Sequence, residues 1–271
     1  MMIPSVELRN SILMPQIGLG TWKLTGKDCT NSVKEALNLG YVHIDTAKVY
    51  ENQKEISKAI KDKKREELYI TSKLWQFDLE DNSVNDLTIN ILEELKTTYL
   101  DQLLLHWPSE TLDHNKVIED MGELIEDGLV RSIGVSNFTI NHLKKLKKKN
   151  LKLISANQVE FHPALYQKEL LSFCEEKGIK VVAYSPIGRA KILDNILFDE
   201  LELKYNKSRA QICLRWCVQK GVIVIPKASS IKHLKENIDI FDWNISQEDE
   251  LLLDGLGNEL RLTNPYFGEF D

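Results

Sequence analysis

Short apolar runs alternate along this chain with longer stretches whose apolar residues recur every three or four positions. The runs predict strands over 17–21, 41–45, 68–73, 103–108, 130–135, 154–159, 180–184 and 222–225. Most are apolar throughout, as in Leu103-Leu104-Leu105, which marks strands covered on both faces. The longer stretches predict helices over 28–39, 52–63, 84–98, 116–127, 139–149, 167–177 and 208–220. A further helical region precedes Ser208, and shorter helices follow over 231–237 and 247–255. Gly40, Gly128, Gly178 and Gly221 each stand where a helix must stop. Five lysines between Lys144 and Lys149 read as a solvated helix face.

Strand and helix thus alternate about eight times. A (β/α)₈ barrel, the TIM-barrel fold, is the leading expectation, with an open doubly wound sheet as the alternative. Residues 6–8 and 12–14 flank Arg9-Asn10-Ser11 as a β-hairpin capping one end. Gly18 and Gly20 resemble the start of a dinucleotide fingerprint. No third glycine follows at the needed spacing and no helix begins at once, so a Rossmann reading fails.

Composition narrows the class. The 271 residues, 42% hydrophobic and 28% charged, suit one α/β domain over 1–271. A net charge of −6 argues against a nucleic-acid or anionic-membrane surface. No apolar run reaches the roughly 18 residues of a bilayer span. The first residues lack a basic segment followed by an apolar one, so no secretory signal is expected. Cys213 and Cys217 lie one helical turn apart and read as core thiols, and no cluster has metal-ligand spacing. A monomeric, reduced cytoplasmic enzyme is the expectation.

In a barrel, the C-terminal strand ends share one face. Asp45, Lys73, His106, Gln158, Tyr184 and Lys227 all fall there. Asp45 with the loop residue Tyr50 reads either as a proton-handling pair or as a loop-amide acceptor beside a packed ring. A tyrosine's reference pKa near 10 is high for proton transfer at neutral pH, and a lysine cation beside it would lower that value. Asp45 would hold Lys73, and His106 would hydrogen-bond the oxygen that Tyr50 protonates. The set suits a carbonyl oxygen that becomes an alkoxide. No obvious nucleophile accompanies it, so hydride from a cofactor is the natural partner. The competing readings are a structural Asp45–Lys73 ion pair and a core histidine at His106. His162, before Pro163, reads as structural. Trp22 reads equally as core or as pocket wall.

These residues lie in stretches that together resemble the aldo-keto reductase family from about Gly18 to Asn237. The matching stretches are Asp45-Thr46-Ala47 with Tyr50 and Asn52, Thr71-Ser72-Lys73-Leu74-Trp75, and Leu105-His106-Trp107-Pro108. Ile133 to Phe138, Asn157-Gln158-Val159-Glu160, Tyr184-Ser185-Pro186, Ile225-Pro226-Lys227 and Glu236-Asn237 complete them. The short end after Asn237 is similar to compact prokaryotic members such as diketogluconate reductases.

The resemblance implies NADPH-dependent reduction of a small-molecule aldehyde or ketone. It implies Tyr50 as general acid, Lys73 and Asp45 as the pair that lowers its pKa, and His106 as orienting donor. Ser136, Asn137 and Gln158 would bind the nicotinamide carboxamide, with Tyr184 stacked on the ring. The implied cofactor contacts also include Gly20, Thr21, Trp22, Ser185, Pro186, Lys227, Ala228, Ser229, His233, Glu236 and Asn237. Trp22, Trp75 and Trp107 would wall the substrate cleft. Specificity is expected from loops 108–116 and 188–198 and from the tail Asn264-Pro265-Tyr266-Phe267.

Two positions depart from the NADP-preferring pattern. Ala228 stands where a serine or threonine follows the strand-end lysine, and His233 where an arginine is usual. A hydroxyl and a guanidinium suited to a 2′-phosphate are therefore missing, and NADH use alongside NADPH is expected. Gln53 replaces a usual glutamate. The alternatives are a non-catalytic NADP-binding barrel and a Schiff-base aldolase using Lys73 or Lys227.

Overall fold

The structure, a computed structural model, describes residues 3–9, 11–257 and 260–270. A hairpin of β1 (Ser5–Glu7) and β2 (Leu13–Pro15) comes first, antiparallel as expected. Asn10, in its predicted turn, lies outside the described residues.

Eight parallel strands follow. They are β3 (Leu19–Gly20), β4 (His43–Asp45), β5 (Tyr69–Leu74), β6 (Gln102–Leu105), β7 (Ile133–Ser136), β8 (Ile154–Glu160), β9 (Lys180–Tyr184) and β10 (Ile223–Val224). They pair in sequence order from β3 to β10. The sheet closes on itself where Ile17 bridges Val224 in parallel and Gly18 N donates to Val224 O at 2.9 Å. This is the (β/α)₈ barrel, and the doubly wound alternative is set aside.

Gly20 explains how closure is possible. It donates to Pro226 O, and a Cβ there would lie 2.5 Å from Ile225 O. Any side chain would push β3 off the strand that seals the barrel. Of the predicted 17–21 strand, Leu19 and Gly20 are in regular pairing, with Ile17 bridged to Val224.

The helices are α1 (Gly26–Asn38), α2 (Gln53–Ile60), α3 (Val84–Leu95), α4 (His114–Glu126), α5 (Ile140–Lys145), α6 (Lys148–Leu151), α7 (Lys168–Glu176), α8 (Leu197–Tyr205), α9 (Arg209–Gln219), α10 (Ile231–Ile238) and α11 (Gln247–Asp254). Their apolar stripes and the outer faces of the strands form the larger apolar core. Ser208 and Gln211 make a capping box that starts α9, and Gly40 at φ +96° ends α1.

One predicted helix is corrected. The segment 139–149 divides into α5 and α6, because Leu146 is extended (ψ 139°) and turns its side chain into the core. The lysines around it are exposed, as expected.

A second, smaller core fills the barrel's lower interior. Leu8 and Met14 of the hairpin region meet Tyr69, Ala156, Val182 and Ile223 there. Tyr69 and Ile223 begin their strands, so the hairpin plugs the N-terminal mouth. The opposite mouth remains for the site.

Candidate active site

The strand register sets the first relationship. Asp45 ends β4, flanked by Gly20 of β3 and Thr71 of β5. Lys73 lies two residues beyond Thr71 and therefore on the same face. Its Nζ donates to Asp45 Oδ1 at 2.5 Å and to Thr46 O at 2.9 Å. Gln158, across the barrel on β8, donates to Asp45 Oδ2 at 2.7 Å. Both carboxylate oxygens thus have partners, and the pair is buried. Burial raises the Asp45 carboxyl and lowers the Lys73 ammonium, while their contact opposes both shifts.

Tyr50 comes from a short 3₁₀ turn, Lys48–Tyr50, that Glu51 ends in the left-handed region (φ 54°). Asn52 holds this turn in place. It accepts from Thr46 Oγ1 at 2.7 Å and donates to Thr21 O at 2.9 Å and Leu24 O at 3.0 Å. One amide thereby joins the loop bearing Tyr50 to the loop bearing Trp22. Its place in the motif is visible in the sequence, but this role is not. Gln53, next to it, is buried and donates to Ser72 Oγ on β5 at 2.6 Å.

Tyr50 meets His106 edge-on with ring centroids 5.7 Å apart, and Lys73 Nζ lies 5.1 Å from the Tyr50 ring centre. The expected lowering of the tyrosine pKa by Lys73 is set against a larger effect of burial. Burial raises the phenol well above its ordinary value, and the charges of Asp45 and Tyr184 add to it. The physical reason is that burial disfavours the phenolate, and the Asp45 carboxylate disfavours it further. Burial, and next the Lys73 charge, hold the His106 imidazole well below its usual pKa, so the ring is neutral. Its Nδ1 is buried without a protein partner.

These groups face a cavity of about 700 Å³ at the C-terminal mouth. Asp45, Tyr50 and His106 line its floor, while Lys73 stands behind Asp45. Trp22, Trp75 and Trp107 line it, as expected, and Phe267 from the tail joins them. The Phe267 ring is 5.5 Å from those of both Trp75 and Trp107.

Another part of the lining is polar. Ser136 donates to Gln158 O at 2.8 Å. Asn137, in the left-handed region at φ 62°, donates to His106 O and Ser136 Oγ and accepts from Tyr184 OH at 2.8 Å. Gln158 and Tyr184 complete this part of the lining. Gly20, Thr21, Ser185, Pro186 and Lys227 also line the cavity.

Other predicted contacts fall elsewhere. Ala228, Ser229, His233, Glu236 and Asn237 are outside the cavity lining. Ala228 and Asn237 are buried, Glu236 faces Lys232 at 3.8 Å, and His233 is exposed on the first turn of α10. These residues follow Lys227 outward from the mouth. Loop 108–116 does not line the cavity either. Its start at Ser109 is held away by a hydrogen bond to His114, at the head of α4. From 188–198 only Arg189 reaches the lining, and from the tail Thr263, Pro265 and Phe267 do.

Lys23 and Thr263 were not anticipated, and Arg189 only as part of loop 188–198. Lys23 Nζ and the Arg189 guanidinium lie 4.4 and 4.9 Å from the Trp22 ring centre. Their charges in an otherwise aromatic mouth could have been sought beside Trp22 and after Pro186.

The pattern has relatives. A family model described as "Aldo/keto reductase family" matches residues 16–257. Glyoxal reductase of Bacillus subtilis is 41% identical over 261 residues, covering 95% of this chain and 94% of that protein. Methylglyoxal reductase DkgA of Escherichia coli is 34% identical over 249 residues, covering 90% of each. Among solved structures, the Bombyx mori aldo-keto reductase in complex with NADP superimposes with a TM-score of 0.90 at 28% identity. That match covers 97% of this chain and 96% of the other.

Proposed function

The chain belongs to the aldo/keto reductase family, and on that premise we propose that it reduces small aldehydes and ketones, α-oxoaldehydes such as glyoxal and methylglyoxal among them, with NADPH. The observation that carries this reading is the convergence of Tyr50 and His106 on one cavity floor, backed by the buried Asp45–Lys73 pair.

The residues present fit a nicotinamide cofactor. Ser136, Asn137 and Gln158 gather amide and hydroxyl groups in the cavity lining, with the Tyr184 ring among them. The exposed Lys227 marks the outer end, where a phosphate would be held. When bound, NADPH supplies hydride to the carbonyl carbon.

The chain's own groups handle the oxygen. His106, neutral, donates one hydrogen bond to the carbonyl oxygen and orients it. Tyr50 gives its proton to that oxygen as negative charge develops there. A phenol pKa raised by burial keeps Tyr50 protonated across the neutral range, which suits an acid acting in the reductive direction. The Asp45–Lys73 pair places a fixed dipole under the phenol, and Gln158 keeps the carboxylate from turning. The apolar tryptophan walls exclude water and accommodate the carbon skeleton.

Lys73 is poorly suited to form a Schiff base, since its Nζ is turned to Asp45 and Thr46 O behind the cavity floor. This argues against the aldolase alternative. The intact floor argues against a barrel that only binds.

NADPH is preferred through Lys227, with NADH accepted because Ala228 and His233 supply neither hydroxyl nor guanidinium. The whole chain works as one barrel domain and a monomer. Its free, buried cysteines suit a reducing cytoplasm.

The test is turnover of glyoxal, methylglyoxal and an aromatic aldehyde with each cofactor, in wild type and Tyr50→Phe. Reduction by the wild type that persists undiminished in Tyr50→Phe would overturn the assignment of the acid. No reduction of any carbonyl would overturn the reading as a whole.

A further inference from the structure

The tail from Leu260 to Phe270 has no regular secondary structure, so its backbone donors need partners elsewhere. Two of them go to one buried side chain more than a hundred residues away. Glu160, the last residue of β8, accepts from Leu262 N at 2.9 Å through Oε1 and from Thr263 N at 2.8 Å through Oε2. His162 Nε2 lies 3.1 Å from Oε1. Glu160 and His162 are both fully buried. A carboxylate taking two amide donors gives strong, directional bonds where the tail has no ladder of its own.

What lies just beyond this anchor lines the cavity: Thr263, Pro265 and Phe267. Phe267 packs edge-on against Trp75, Phe77 and Trp107. Thr263 Oγ1 also accepts from Arg189 at 2.6 Å, which ties the tail to the loop after β9 across the mouth. A second tie, between His142 Nε2 and Glu269 Oε2 at 2.9 Å, lies past Phe267. The aromatic wall is therefore suspended between two anchors, of which Glu160 is the buried one.

We propose that Glu160 is a positioning residue: through the amides of Leu262 and Thr263 it fixes the tail as the substrate-side wall, and so sets which carbonyl compounds are admitted without touching them. The inference rests on the reading of this cavity as a carbonyl-reducing site. Gln158, two residues earlier on the same strand and the same face, fixes Asp45. One strand end thus orients both the floor and the far wall.

The test uses the full chain with Glu160→Gln, which keeps the shape but loses the charge and one acceptor. Leu262→Pro removes a donor from the tail side and leaves the barrel untouched, should the buried substitution impair folding. KM and kcat are measured for methylglyoxal and for a bulky aromatic aldehyde, with the dissociation constant of NADPH and amide hydrogen exchange at 262–263. Both variants should raise KM for methylglyoxal relative to the bulky aldehyde by about ten-fold, the scale on which an apolar pocket discriminates. NADPH affinity should stay within about two-fold, and the Leu262 or Thr263 amides that remain should exchange faster. An unchanged KM ratio in both variants, or an equal loss for every substrate together with weakened NADPH binding, would overturn the inference. No turnover in the wild type would instead overturn the reductase reading on which it stands.

Discussion

Lys73 Nζ and Asp45 Oδ1 are 2.5 Å apart in the barrel interior, and Gln158 occupies the second carboxylate oxygen from the opposite strand. Above this pair, burial first and the Asp45 charge second hold the proton on Tyr50.

On the proposed reading, Tyr50 is the proton donor on the cavity floor that follows the charge onto a carbonyl oxygen. Tyr50→Phe should lower kcat for reduction by about 10²–10⁴-fold, the usual contribution of a general acid. NADPH binding, followed by fluorescence quenching, should change little. A kcat within a few-fold of wild type would show that another group donates.

Lys73→Met should destabilise the fold by about 3–5 kcal/mol where the carboxylate stays charged, since one partner of a buried pair is removed. Without Lys73 the Asp45 pKa, already raised by burial, rises further. A carboxyl that binds its proton more tightly folded than unfolded loses stability as pH rises through its folded pKa. The deficit relative to wild type should therefore be larger at pH 8 than at pH 5. Urea unfolding at both values checks this, and a deficit independent of pH would mean that Asp45 does not depend on Lys73.

His43, buried against Tyr69 and hydrogen-bonded to Thr71, has its pKa lowered to about 3 by burial and, secondarily, by Lys73. His106 is shifted the same way. Both stay neutral when folded but take up protons when unfolded; for His43 the stability is present above about pH 6.5 and falls as pH drops toward 3. His43 contributes a slope of up to about 1.4 kcal/mol per pH unit in that window. His43→Gln should remove one such contribution from the unfolding free energy between about pH 6 and 4. An unaltered slope would refute the assignment.

The cofactor preference depends on what meets a 2′-phosphate. His233 is exposed, with its backbone N capped by Ser230 Oγ, and its ring is free to be replaced. His233→Arg should tighten NADPH about ten- to a hundred-fold, the value of a bidentate charged contact, and leave NADH nearly unchanged. Dissociation constants for both cofactors decide it. Equal tightening, or none, would mean that α10 does not face the phosphate.

The sequence by itself determined the strand and helix order, the barrel, and the strand-end residues gathered on one face. These are consequences of short-range rules. Apolar periodicity reports which face of an element is covered, and eight alternating units leave few topologies. Asp45, Lys73 and His106 were legible because the ends of parallel barrel strands must converge. Tertiary structure alone decided what depends on distances between remote segments. The Asp45–Gln158 bond spans the barrel, and Glu160 meets amides a hundred residues later. Neither leaves a periodic trace in the chain. The direction of the Tyr50 shift depended on burial and on the nearness of Asp45. The break at Leu146 reflects a core position that overrode a continuous helical pattern. Ala228 and His233 were readable as departures, but their position outside the cavity lining was settled only by how α10 leaves β10.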